Sequence, residues 1–111
     1  MADYTGLRRR LAVAYMSRID LSAHHSMSHA EAQGAADDLA NDLAAKFDID
    51  YGWENDTIHF ERSGVQGRIT VQEKEIRVQA ELGLLLSFLK GRIEEEVVRY
   101  LESHFGCTFD A

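Results

Sequence analysis

His24, His25 and His29 stand within six residues of one another, so their imidazoles are the first groups to test for metal chemistry. Their spacing matches no recognised ligand set, and a polar loop between a strand and a helix explains them without a metal. Asp37, Asp38 and Asp42 could offer carboxylates to a cation, but at these spacings they read as the solvated face of a helix, as do Glu94, Glu95 and Glu96. For nucleophilic chemistry, Ser63 sits in "RSGVQG" without the Gly-x-Ser-x-Gly frame, and Cys107 lies alone in the tail. Gly64 and Gly67 could cradle a phosphate only if a helix N-terminus followed, and none is expected there. They read instead as structural turn glycines, placed where a reversal needs positive φ or a bulge. Arg62 and Arg68 flank that turn as surface charge, with a carboxylate the group they would meet. No catalytic residue, metal ligand or cofactor emerges.

The elements that carry these groups follow from the apolar period. "SRIDLSA" alternates Ile19, Leu21 and Ala23 with polar residues, as a half-buried strand does. Ser28 to Glu31 spells a capping box with Met27 at the staple position, opening a helix to about Phe47 whose inward stripe is Ala32, Ala35, Ala36, Leu39, Leu43 and Phe47. Short alternating runs follow. Ile49, Tyr51 and Trp53 share one side, Asn55 and Asp56 turn the chain, and Ile58 and Phe60 continue the buried side. "SGVQG" reverses the chain again, Ile69 and Val71 precede a turn at Glu73–Glu75, and Ile76, Val78 and Ala80 form the last strand before a helix predicted over about 82–105. Thr57, His59, Glu61, Arg68, Thr70, Gln72, Arg77 and Gln79 share the opposite, wet side. The expected fold class is α+β: strand, helix, four-strand antiparallel meander, helix, with one sheet face covered by helices.

Composition narrows the functions. A chain of 111 residues, 45% hydrophobic, suits one domain with a modest core. With 19 acidic residues against 12 basic, the net charge of −7 argues against a nucleic-acid partner. Cys107 is the single cysteine, which excludes an internal disulfide, and no apolar run reaches the roughly 18 residues of a transmembrane segment. Residues 1–15 differ from the rest: three arginines against Asp3 give +2, whereas residues 16–111 carry −9. They are expected to be a poorly ordered or weakly helical N-terminal extension, with a single domain over 16–111.

One stretch is not absorbed by this plan. "ELGLLLSFLKGRIEEEV", Glu81 to Val97, is apolar almost all round at its start. At helical spacing, Leu82, Leu86, Leu89, Ile93, Val97, Tyr100 and Leu101 form a stripe that would seal the sheet, leaving Leu84 and Phe88 four apart on the far flank, with Leu85 bridging. A row of small residues, Gly83, Ser87 and Gly91, would allow another backbone close approach, the alanine-rich helix being the nearest candidate.

This helix and "FERSGVQGRITV", Phe60 to Val71, carry a resemblance. Together with His25 and Ser26, Lys46 to Asp48, and Trp53 and Glu54, in that order, they resemble the small bacterial polyhydroxyalkanoic acid system proteins, also called the polyhydroxyalkanoate granule-region family. The resemblance covers nearly everything after Met16 and implies no catalytic residues. It implies a cytoplasmic protein that accompanies storage inclusions or regulates their formation.

Two functions are therefore open. One is a non-enzymatic interaction protein whose surface at Leu84, Leu85 and Phe88 meets a second copy in a homodimer, the polyhydroxyalkanoate granule surface or granule proteins. The other is a carrier or enzyme for a hydrophobic acyl ligand, held between sheet and long helix in a cavity lined by Tyr51, Trp53 and Phe60.

Overall fold

The computed structural model describes residues 17–109. The extension expected over 1–15, and the domain boundary at Met16, lie outside the described residues.

Strand β1, Ser17–His24, leads into helix α1, His29–Phe47, then into β2, Asp50–Glu54, β3, Thr57–Arg62, β4, Val65–Val71, and β5, Glu75–Leu82. A 3-10 helix, Leu84–Leu89, precedes helix α2, Lys90–Phe105, and a two-residue strand β6, Thr108–Phe109. The strands form one antiparallel sheet in the order β2-β3-β4-β5-β1-β6, with the meander closed by β1 lying against β5. This is the α+β architecture that the periodicity predicts.

Cross-strand register turns the alternating sequence into rows. On the inner face, Tyr51, Phe60, Gly67, Ala80 and Ile19 stand side by side, next to a row of Trp53, Ile58, Ile69, Val78 and Leu21. On the outer face the matching row is Gly52, His59, Arg68, Gln79 and Asp20. Both helices cover the inner face. Ser28 caps α1 through the expected box: its hydroxyl accepts from the Glu31 N–H, while Glu31 accepts from the Ser28 N–H. Ala32, Ala35, Ala36 and Ala40 are fully buried, and side chains this small let the helix axis lie close to the sheet. The helix ends where Asp48 turns left-handed, and Arg62 donates to the freed Phe47 carbonyl at 2.6 Å.

Four details differ from the sequence prediction. The final helix does not start at Leu82, because Leu82 pairs with Ser17 and Val65 in the sheet and is fully buried there. Gly67 is no turn residue: it lies inside β4, where an added Cβ would stand 3.0 Å from the Gln79 carbonyl oxygen, so space rather than φ requires glycine. The small-residue row does not meet the alanine-rich helix: a Cβ on Gly83 would stand 3.6 Å from the Gly64 carbonyl oxygen in the β3–β4 hairpin turn, and nothing lies within 4 Å of one built on Gly91. Finally, β6 adds a sixth strand through Ala23 and His24, too short to show as a period.

Candidate interaction surface

β5 delivers the chain to Gly83, whose extended backbone donates to the Gly64 carbonyl at 2.8 Å before the 3-10 helix begins. Gly64 turns β3 into β4 at φ 86, and a Cβ there would meet Leu86 Cδ1 at 3.0 Å. The positive φ favours glycine at this position, and the Leu86 side chain occupies the space beside it.

Three residues per turn eclipse side chains at i and i+3, which sorts this segment into rows. Leu86 and Leu89 point inward, Leu86 half-buried against the core and Leu89 buried within it. Leu85 and Phe88 make the outward row, with Leu84 beside them, and these three are exposed to 59% (Leu84), 86% (Leu85) and 70% (Phe88). The α-helical period made Leu84 and Phe88 the outward pair. The tighter winding makes it Leu85 and Phe88.

The aromatic residues named for a ligand cavity differ in burial but share one depression. Phe60 is buried in the core with the Tyr51 ring 6.1 Å away, centroid to centroid. Trp53 is 39% exposed at the sheet edge, where its indole N–H donates to Asp37 at 2.8 Å. All three border an open depression of about 840 Å³ on the sheet, shared with polar side chains of the outer face such as His59, Arg68 and Gln79.

The titratable groups are drawn to separate partners. His25 is buried, accepts from the Met27 N–H through Nδ1 and donates through Nε2 to the Gln72 carbonyl, tying the β1–α1 loop to the end of β4. His29 and Gln33 both reach Asp56, holding the β2–β3 turn to α1. Arg77 grips Asp20 through two bonds of 3.0 and 2.8 Å across β5 and β1, and Arg68 donates to Gln79. Cys107 is buried, which pushes its thiol pKa up and away from the reactive thiolate.

Two acids expected on solvated faces are not there. Glu96 on α2 is only 7% exposed and receives Lys46 from α1 at 2.6 Å and Arg99 from its own helix. Asp42 lies 3.4 Å from Lys46, and its buried Oδ2 has no donor among the described residues. A proton on Asp42 gives that oxygen a partner, because it can then donate to Glu96. Burial, and then Glu96, raise the Asp42 pKa, while the Asp42 hydrogen bond, helped by Lys46 and Arg99, holds Glu96 down at about 2. The i,i+4 and i,i+3 pairs are legible in sequence. Their meeting across two helices is not. Bridged by Lys46, this cluster clamps α1 to α2.

No described helix is long and apolar enough to cross a membrane. Among characterised proteins and among solved structures, no significant match to the chain is found. The model of one family, that of the polyhydroxyalkanoic acid system proteins, matches residues 19–105. That span runs from inside β1 through the hairpin at Gly64 and the exposed leucines to the last residue of α2, and on it the chain belongs to the polyhydroxyalkanoic acid system protein family.

Proposed function

We propose that the protein is a non-enzymatic component of polyhydroxyalkanoate inclusions that docks on their hydrophobic surface through Leu84, Leu85 and Phe88. The observation that carries this reading is the outward row itself: three large apolar side chains on one short helix, each more than half exposed. Scattered apolar residues on a surface need no explanation, but a contiguous group does. Family membership supplies the kind of surface that would bury it.

Burying three such side chains contributes on the order of 5 kcal/mol, which for a single site is a weak association. A protein of this kind would coat a surface in many reversible copies rather than hold one partner tightly. The test is a full-length Leu85→Ser/Phe88→Ser variant. Both residues face water, so the fold should survive by circular dichroism while the amount bound to isolated polyester particles falls at least about tenfold. In polyester-accumulating cells a tagged copy should move from the inclusions to the surrounding cytoplasm. Unchanged particle binding by the folded variant would remove this surface from the mechanism, and loss of a dimer in sedimentation would redirect it to self-association.

A further inference from the structure

One edge of the sheet is open. β2 is the outermost strand on its side, and among the described residues only β3 pairs with it, over Asp50–Glu54. In an antiparallel pair alternate residues turn both N–H and C=O to the neighbour, so the others along β2 turn theirs away from the sheet. Gly52 stands exposed at the centre of the strand, with nothing within 4 Å of a Cβ built on it. No described neighbour requires glycine there, and a bare position in a strand is where another backbone can come close.

A helix walls this edge on the inner side. His29 and Gln33 reach Asp56, and Asp37 accepts from the Trp53 indole, so one row of α1 at spacing four follows β2 back from its turn. A strand added to β2 would run alongside that row, with Tyr51 and Trp53 beside its own inner side chains.

The charge around the edge is mostly of one sign. Asp50, Glu54 and Glu61 project from the outer face, and Asp37 and Asp38 from α1. None of the five is in an ion pair among the described residues. Burial, and then Asp37 and Asp38, raise the Tyr51 pKa, so both carboxylates act on that ring. The cations nearby are largely committed: His29 to Asp56, and Lys46 to Glu96 and Asp42. Arg62 donates to the Phe47 carbonyl and Arg68 to Gln79, which leaves two uncompensated cations against five carboxylates, the second of them two strands in from the edge.

That sign decides the occupant. A second copy adding its own β2 about a two-fold axis at Gly52, the register that uses all five residues, would set Asp50 opposite Glu54 of the other copy at both ends. Like charges directly opposite one another destabilise a sheet, whereas a basic strand gains from the same two positions. We propose that the β2 edge binds an extended segment of a basic partner polypeptide, which adds as a seventh strand with Lys or Arg opposite Asp50 and Glu54 and apolar side chains beside Tyr51 and Trp53. Backbone bonds supply the affinity, and the alternating side chains supply the selection. No residue of the outward row takes part, so this contact is independent of particle docking.

The test titrates the acetylated, amidated peptide Thr-Lys-Val-Thr-Val-Lys-Thr, whose symmetric pattern fits either strand direction, into ¹⁵N-labelled full-length protein. Hydrogen exchange should slow at alternate amides within 50–54, while the resonances of 84–89 stay unchanged. The same peptide with Glu in place of both Lys should not bind. Asp50→Asn/Glu54→Gln, a change at two exposed positions, should weaken binding of the Lys peptide about fivefold. Methylating the peptide amides in two alternate sets should abolish binding with one set and spare it with the other, and an equal response to both would remove backbone pairing. No perturbation at millimolar peptide, equal binding of the Glu peptide, or an effect centred away from β2 would overturn the proposal. So would slow exchange at β2 without peptide: if it weakened on dilution the occupant would be a second copy, and if it persisted, the chain itself. The Leu85→Ser/Phe88→Ser variant should bind the peptide as the wild type does, and loss of binding there would move the site to the outward row.

Discussion

Glu96 gathers Lys46 and Arg99 in the seam between α1 and α2, and burial, followed by Glu96 itself, raises the pKa of the neighbouring Asp42. The two acids act on stability in opposite directions. Glu96 has its pKa lowered from 4.5 to about 2, so its contribution is complete above the unfolded value and is lost as pH falls from about 4.5 through about 2. Asp42 has its pKa raised above 3.8, so native protein holds its proton more tightly. Its contribution is present below 3.8 and is lost as pH rises through the raised value. Asn at position 42 keeps a donor for Glu96 and cannot ionise. Asp42→Asn should therefore raise the thermal midpoint at pH 7, with the gain shrinking below pH 3.8 where wild-type Asp42 is protonated anyway. A lower midpoint at pH 7 would show that the Lys46 contact outweighs the cost of the second charge. Glu96→Gln should act the other way, costing about 1–3 kcal/mol near neutrality, because Lys46 and Arg99 lose their shared acceptor.

At the scale of elements, the hairpin turn at Gly64 and the 3-10 helix are one device. The Gly64 carbonyl accepts from Gly83, and Leu86 fills the space a side chain at 64 would need. Gly64→Val should cost about 2–4 kcal/mol, from left-handed strain on a β-branched residue and from collision with Leu86. A Gly64→Val/Leu86→Ala double variant should recover only the collision part, and full recovery would mean that positive φ is not the constraint. Much of this level was legible beforehand. Alternation at Ile58 and Phe60, or Ile76 and Val78, can be satisfied only by one dry face, and Ser28 with Glu31 can only start a helix. The 3-10 helix was not legible, because a run of leucines fits either winding and the choice depends on Leu82 being already committed to the sheet. Asp42 and Glu96 were misplaced for a related reason: each helix alone shows a charged face, and only their crossing removes water from both.

For the whole molecule, cooperativity should follow the strand order. β5 lies between β4 and β1, with both helices over that part of the inner face, and Ile76, Leu82, Ile69 and Ile19 are almost fully buried around it. Backbone hydrogen bonds there should open only with the entire core. β2 is an edge strand whose five residues are at best half-buried, and the 3-10 helix touches the core through Leu86 and Leu89 alone. Elements with few buried apolar contacts open at lower free energy than the global transition. Native-state hydrogen exchange should thus show the slowest amides in β1, β4 and β5, with β2 exchanging by a cheaper opening and the 3-10 helix cheaper still. Such an ordering would leave the outward row free to rearrange while the sheet persists. Protection of Leu86 and Leu89 amides equal to that of Val78 would mean that the 3-10 helix unfolds only with the core, and the outward row would then be a rigid surface with no freedom to adapt to what it meets.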